Sequence, residues 1–155
     1  MITLFRLVKA KHLAQAFDGQ GAKKHGGRWN EPWVLMVYTS GSLSLAAHET
    51  FVHLGYGSVS LTFIYIPVEV PDSMRIRSVK EENLPADWKM EPPPNSTKRI
   101  GTEWALGMET AVLKVSSIII PGEFNYLLNP VHPDFTLLKI KPALPFQFDP
   151  RMLKK

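Results

Sequence analysis

The stretch Val34–Leu54, VLMVYTSGSLSLAAHETFVHL, decides the fold class. Val34–Thr39 reads as a strand apolar enough to be buried on both faces. Ser42–Leu54 then follows the period of a helix, with Ser40 or Ser42 as its N-cap and Gly55 as its stop. Leu43, Ala47, Phe51 and Leu54 form the main apolar stripe, and Leu45, Glu49 and Val52 form a second at i, i+4 and i+7. A carboxylate between two aliphatic residues is expected to be part-buried and paired. From the helix alone, a structural salt bridge to an arginine is the favoured pairing.

Outward from this unit, Ile2–Leu7 reads as a first strand and His12–Phe17 as a short helix. Asp18–Gly27 carries glycines at 19, 21, 26 and 27 and reads as loop. Leu61–Val70, Met74–Val79, Val115–Ile120 and Phe135–Ile140 read as further strands. Glu103–Lys114 reads as a second helix, with Trp104, Met108, Ala111 and Val112 on one stripe. Lys80–Arg99 contains Pro92, Pro93 and Pro94 in succession, so it is neither continuous helix nor central strand. Trp88 and Met90 give this excursion something to bury. Strands outnumber helices and the helices are scattered among them, which predicts an α+β fold and not a doubly wound sheet.

The 155 residues suit one domain over 1–155, and 45% hydrophobic content suffices for a core, which excludes disorder of the whole chain. Zero cysteines exclude a disulfide scaffold, a thiolate zinc site, an iron–sulfur cluster and a cysteine nucleophile. Their absence suits a reducing cytoplasm. Eighteen Lys and Arg against 14 Asp and Glu leave a net charge of +4, which favours anionic partners. Arg6 and Lys9 interrupt the N-terminus before a secretory apolar region forms. The apolar run Trp33–Tyr38 is far shorter than the roughly 18 residues of a membrane span. A cytoplasmic protein with no membrane partner is the expectation.

Several familiar motifs fail on geometry. The loop GQGAKKHGG, residues 19–27, matches neither a dinucleotide fingerprint nor a P-loop, because Lys24 and Gly27 occupy the deciding positions. His48 and His53 are five apart, which turns them roughly 140° from each other on a helix, so a metal held by this pair is not expected. The basic residues form no stripe interleaved with aromatics, which gives no support to single-stranded nucleic-acid binding.

Other residues carry open readings. Arg28, after a double glycine, fits a guanidinium forked onto a phosphate or carboxylate equally as well as an exposed turn. Arg6 lies in the apolar strand TLFRL, where a solvent-facing side chain is the simpler reading. Tyr38 near the end of its strand suits either stacking on a ring or core filling with a tethered hydroxyl. Ser117, before Ile118–Ile120, reads equally as a strand residue. Asn125, Asn129-Pro130 and His132-Pro133-Asp134 read as turn signals, with His132 a structural hydrogen-bonding group.

Taken in order, Phe5-Arg6, His25–Asn30, Val37–Ser40, Ser42–Glu49, Pro92–Thr97, Gly101–Trp104, Ser117–Pro121 with Asn125, and Leu128–Pro130 with His132–Phe135 resemble the RES domain family. The resemblance covers roughly residues 5–135, and His48 stands where a more apolar residue is expected. It implies a single mixed, split β-sheet with flanking helices, similar to the ADP-ribosyltransferase fold. It also implies the toxin of a toxin–antitoxin module, inhibited by an Xre-type antitoxin that covers the active site and carries the DNA-binding function, so that this chain binds no DNA itself. NAD is then a substrate and no cofactor or metal is needed. Cleavage of the nicotinamide–ribose bond would pass ADP-ribose to water, phosphate or a protein, making the chain an NAD glycohydrolase, NAD phosphorylase or ADP-ribosyltransferase. The family's functional residues fall on Arg6, Arg28, Tyr38, Glu49 and Ser117. Arg6 and Arg28 would hold the pyrophosphate, Tyr38 would stack on nicotinamide or close the pocket, and Glu49 would face the ribose. Ser117 would orient the ribose or the glutamate. A ribonuclease-type toxin and a non-catalytic interaction module are the alternatives.

Overall fold

The computed structural model describes residues 1–54 and 61–153. Its strands are β1 (Ile2–Lys9), β2 (Val37–Ser40), β3 (Phe63–Val70), β4 (Ile76–Ser78), β5 (Val112–Ser116), β6 (Phe124–Leu128), β7 (Lys139–Ile140) and β8 (Leu144–Phe146). They form one sheet in the order β4-β5-β6-β2-β1-β3-β7, with β8 also pairing with β3. β4 and β5 run parallel and the other pairs antiparallel. The helices are α1 (Gln20–His25), α2 (Leu43–Phe51) and α3 (Asn95–Gly107), joined by short 3-10 turns. The class is α+β with a mixed sheet, as the pattern of elements predicts. No helix among the described residues is long and apolar enough to cross a membrane.

The sheet is split near its middle. β1 registers with β3 along its whole length, and β2 registers with β6 from Val37 to Ser40. Between β1 and β2 the registered partners are Phe5 and Ser40 alone. Two halves therefore meet at one residue pair.

Because cross-strand partners share a face, Phe5, Ser40 and Asn125 lie on one side of the sheet with Tyr38, Leu127 and Leu113. Two separate cores cover that side. Leu7 and Phe63 pack with Ala46 and Ala47 of α2, and with Phe148. Leu113, Val115 and Leu127 pack with Trp29 and with Trp104 and Ala105 of α3. Along the seam between these cores runs a polar strip from half-buried Tyr38 through buried Ser40 to half-buried Asn125. Leu4, Val37, Val68, Val112 and Leu128 form a third core on the opposite face.

Several elements differ from the sequence reading, each for a local reason. The second helix is Asn95–Gly107, not Glu103–Lys114. Pro94 holds an extended N-cap conformation where its missing N–H is no loss, so the proline run launches the helix. Met108 ends it in the left-handed region at φ 55°. Ala111 and Val112 are apolar because they enter the central strand β5, not because they continue a helical stripe. Asn125 is no turn residue but part of β6, paired on both sides. His12–Phe17 is replaced by a 3-10 turn at Ala10–Gln15, and the expected loop Asp18–Gly27 contains α1. Phe135–Ile140 is mostly the 3-10 turn Pro133–Leu137, with strand only at Lys139–Ile140. β5 stops at Ser116, so Ser117–Ile120 is a turn. β2 begins at Val37, which places Tyr38 inside the strand. The first helix ends at Phe51, and Gly55, its expected stop, lies outside the described residues.

Candidate active site

Glu49 projects from the last turns of α2 toward the seam. Ser42 caps this helix by accepting the Leu45 N–H at 3.0 Å, as its sequence position suggests. The same hydroxyl donates to Glu123 Oε1 at 3.2 Å, tying the start of α2 to the β5–β6 loop. Glu49 Oε1 accepts two hydrogen bonds, from Ser117 Oγ at 2.8 Å and from Asn125 Nδ2 at 2.7 Å. No basic side chain among the described residues pairs with it, so the expected arginine salt bridge is corrected to a hydroxyl and an amide. Both donors are neutral and leave the carboxylate's charge uncancelled.

Ser117 is held as firmly as the group it serves. Its Oγ accepts the N–H groups of Ile119 and Ile120 at 3.0 and 3.2 Å, which leaves its single proton for Glu49. Of the two roles open for Ser117 in the sequence, orienting the glutamate is the one this geometry serves. Asn125 is fixed from behind by Ser40, whose hydroxyl donates to Asn125 Oδ1 at 2.7 Å. Ser40 and Tyr38 are two apart on β2, so Tyr38 stands next along the same face.

The Tyr38 hydroxyl is committed to the neighbouring loop. It accepts the Trp29 N–H at 3.1 Å and donates to Asn30 Oδ1 at 2.6 Å. Burial holds its ionisation above the usual tyrosine range, opposed in part by the Trp29 N–H and the charge of Arg28. Asn30 is fully buried and its amide donates to the carbonyls of Ala22, Glu31 and Val34 at 2.9, 3.0 and 3.3 Å. Gly27 is required by the tyrosine, because a Cβ there would lie 2.6 Å from the Tyr38 hydroxyl oxygen. Gly101 of α3 is required by the same loop, since its Cβ would lie 1.7 Å from the Trp29 carbonyl oxygen. The His25–Asn30 segment is therefore a wall clamped between α3 and β2, and it takes up the Tyr38 hydroxyl.

The two arginines depart from their simplest readings. Arg6 does not face solvent. Its Nε donates to the Ala16 carbonyl at 3.0 Å and its Nη1 to the Tyr38 carbonyl at 3.2 Å, so it fills the split where β1 and β2 lose register. Burial lowers its pKa to about 10, with Asp18 pulling the other way. No carboxylate among the described residues is within ion-pairing distance of it. Arg28 is not an exposed turn residue either. Its Nη1 donates to the Trp88 and Met90 carbonyls at 3.1 and 2.8 Å, and its Nη2 to Glu91 Oε2 at 2.6 Å. The proline-rich excursion is thereby pinned to the wall.

Glu49, Ser117 and Tyr38 thus share the seam. Arg6, next to Phe5 and so on the other face of β1, touches this group only through the Tyr38 backbone carbonyl, and Arg28 lies near enough to Tyr38 for its charge to act on it. Asn125, Ser40, Asn30 and Glu91 complete the arrangement and were not identified as site residues from the sequence. An asparagine inside the alternating run FNYLL was the available signal for the first. Two cavities among the described residues adjoin the β5–β6 loop. One of about 340 Å³ is lined by Ser78, Lys80, Lys114, Ser116 and Phe124, and one of about 200 Å³ by Gly41, Ser42, Glu123 and Tyr126. They share Gly122 and Phe124, and neither includes Glu49. No group of His, Asp or Glu side chains among the described residues is arranged to hold a metal ion.

Residues 3–149 match the RES domain. The chain belongs to the RES domain family. This RES domain is 40% identical over 144 residues to the "Prs ADP-ribosylating toxin" of Sphingobium sp. strain YBL2, covering 92% of this chain and 89% of that one. It is 39% identical over 150 residues to "Toxin Res" of Yersinia enterocolitica, covering 96% and 98% of the two chains. Its fold is similar to a chain of the M. tuberculosis MbcT–MbcA toxin–antitoxin complex, with a TM-score of 0.75 at 16% identity, covering 98% of this chain and 86% of that one.

Proposed function

We propose that this RES domain is the enzymatic toxin of a toxin–antitoxin module, cleaving the nicotinamide–ribose bond of NAD and transferring the ADP-ribosyl group to an acceptor. The carrying observation is the half-buried Glu49 carboxylate, oriented through one oxygen by Ser117 and by Asn125, itself held by Ser40 two residues from Tyr38 on β2. The names of the relatives support a toxin, and that of the Sphingobium protein supports ADP-ribosyl transfer, with water, phosphate or a protein as the acceptor.

The chemistry asks little of a general acid. As the C–N bond breaks, its electron pair returns to the pyridinium nitrogen and nicotinamide leaves as a neutral base. Positive charge develops on the ribose, as in glycoside hydrolysis. A fixed carboxylate beside the sugar accepts its hydroxyls and stabilises that charge. Glu49 serves this role. The acceptor then forms the new bond to the anomeric carbon and loses its proton. Arg6 and Arg28 would hold the pyrophosphate, and the Tyr38 ring would pack against nicotinamide. No metal or cofactor enters the scheme. An antitoxin of the Xre type would inhibit by covering this seam.

Incubating purified, antitoxin-free protein with NAD, with and without phosphate and cell lysate, tests the proposal, with products identified by mass spectrometry. Nicotinamide release by the wild type is expected. Glu49→Gln should retain NAD binding while turnover falls by about 10²–10³. Cleavage of total RNA with NAD left intact would point to the ribonuclease alternative instead.

A further inference from the structure

We infer that Asn125, locked by Ser40, is a positioning residue that decides which oxygen of Glu49 meets the substrate. This rests on the reading of Glu49 given above and extends it to a residue on another strand. Ser117 and Asn125 both donate to Oε1, and among the described residues no donor reaches Oε2. Two donors on one oxygen prevent the carboxylate from rotating about its terminal bond without losing both contacts. They present Oε2 as the acceptor for a ribose hydroxyl.

The direction of the Asn125 amide is dictated by its neighbours. A carboxylate only accepts, so the amide must turn its NH₂ toward Glu49. The Ser40 hydroxyl donates to the opposite end, Oδ1, at 2.7 Å, and rewards the same orientation. Ser40 is buried, and it is the residue at which β2 meets Phe5 of β1. The relay Ser40–Asn125–Glu49 therefore runs from the junction of the two sheet halves to the carboxylate. A neutral amide suits this place better than lysine or arginine, because it orients the charge without neutralising it.

The test measures kcat and KM for NAD, nicotinamide release and thermal unfolding for the wild type, Glu49→Gln, Asn125→Ala, Asn125→Asp and Ser40→Ala. Asn125→Ala should lower kcat by roughly ten- to a hundred-fold, in line with a misplaced reacting group, with KM changed by less than about threefold. Asn125→Asp keeps the shape but puts a second carboxylate against Glu49, so its kcat should fall below that of Asn125→Ala. Ser40→Ala leaves the amide in place and should show a smaller loss, and it keeps the test open should both Asn125 variants fail to fold. A structural role alone would make the isosteric aspartate at least as active as alanine. Wild-type kcat in folded Asn125→Ala, or Asn125→Asp matching it, overturns the positioning role while leaving the reading of Glu49 intact. A wild type that releases no nicotinamide overturns that reading first.

Discussion

Arg28 Nη2 lies 2.6 Å from Glu91 Oε2, joining a guanidinium whose side chain is 11% exposed to a carboxylate that is 68% exposed. If Arg28 holds the pyrophosphate as the proposed function has it, Glu91 competes with that phosphate for the guanidinium. An ion pair open to solvent on one side contributes about 1 kcal/mol at most. Glu91→Gln should therefore lower KM for NAD by up to about fivefold and leave kcat within about twofold. The Trp88 and Met90 carbonyls still anchor Arg28 in this variant. Steady-state kinetics decide the point, and an unchanged or higher KM would show that Glu91 does not compete with substrate.

Tyr38 gives the fold a pH dependence with a definite sign. Burial raises its pKa above the ordinary value near 10. Above that pH the unfolded chain releases the Tyr38 proton while the folded chain keeps it. The unfolded state then binds fewer protons, so stability falls as pH rises, by up to about 1.4 kcal/mol per pH unit from this one group. Tyr126 is shifted in the same direction by burial and contributes alongside it. Denaturant unfolding between about pH 9.5 and 11 should show a shallower decline in Tyr38→Phe than in wild type. The variant should also be less stable at pH 7, since Trp29 and Asn30 lose their partner. Identical slopes for the two proteins would rule out the assignment.

Gly101→Ala separates helix propensity from packing. In an open helix this change stabilises by about 1 kcal/mol. Here the added Cβ would meet the Trp29 carbonyl oxygen at 1.7 Å, so α3 or the Gly27–Asn30 wall must move. We expect a net loss of about 3 kcal/mol, read as a fall in Tm of roughly 10 °C. Gly107→Ala, with open space around its Cβ, is the matched control in α3.

The strand-then-helix core of the fold was legible because its signals are local. The Ser42 cap and the half-buried setting of Glu49 follow from residues within a few positions. The partners of Glu49 were not legible, since Ser117 and Asn125 lie 68 and 76 residues away and only sheet register brings them close. A solvent-facing Arg6 fails for a related reason. Its acceptors are backbone carbonyls of Ala16 and Tyr38, which no side-chain pattern announces. The misplaced second helix shows the limit of periodicity. Trp104 belongs to α3 and Val112 to β5, yet both are apolar because both enter buried cores. Asn125 was assigned to a turn by composition, whereas its place between β2 and β5 is set by pairing partners remote in sequence.

The single rung between Phe5 and Ser40 gives the sheet a fault line. Along this line the strands hold each other by one registered pair and the Arg6 contact to Tyr38, while the core of Leu4, Val37 and Leu128 and the Glu49 hydrogen bonds span it. Local opening should concentrate along that line, which the relay from Ser40 to Glu49 begins on.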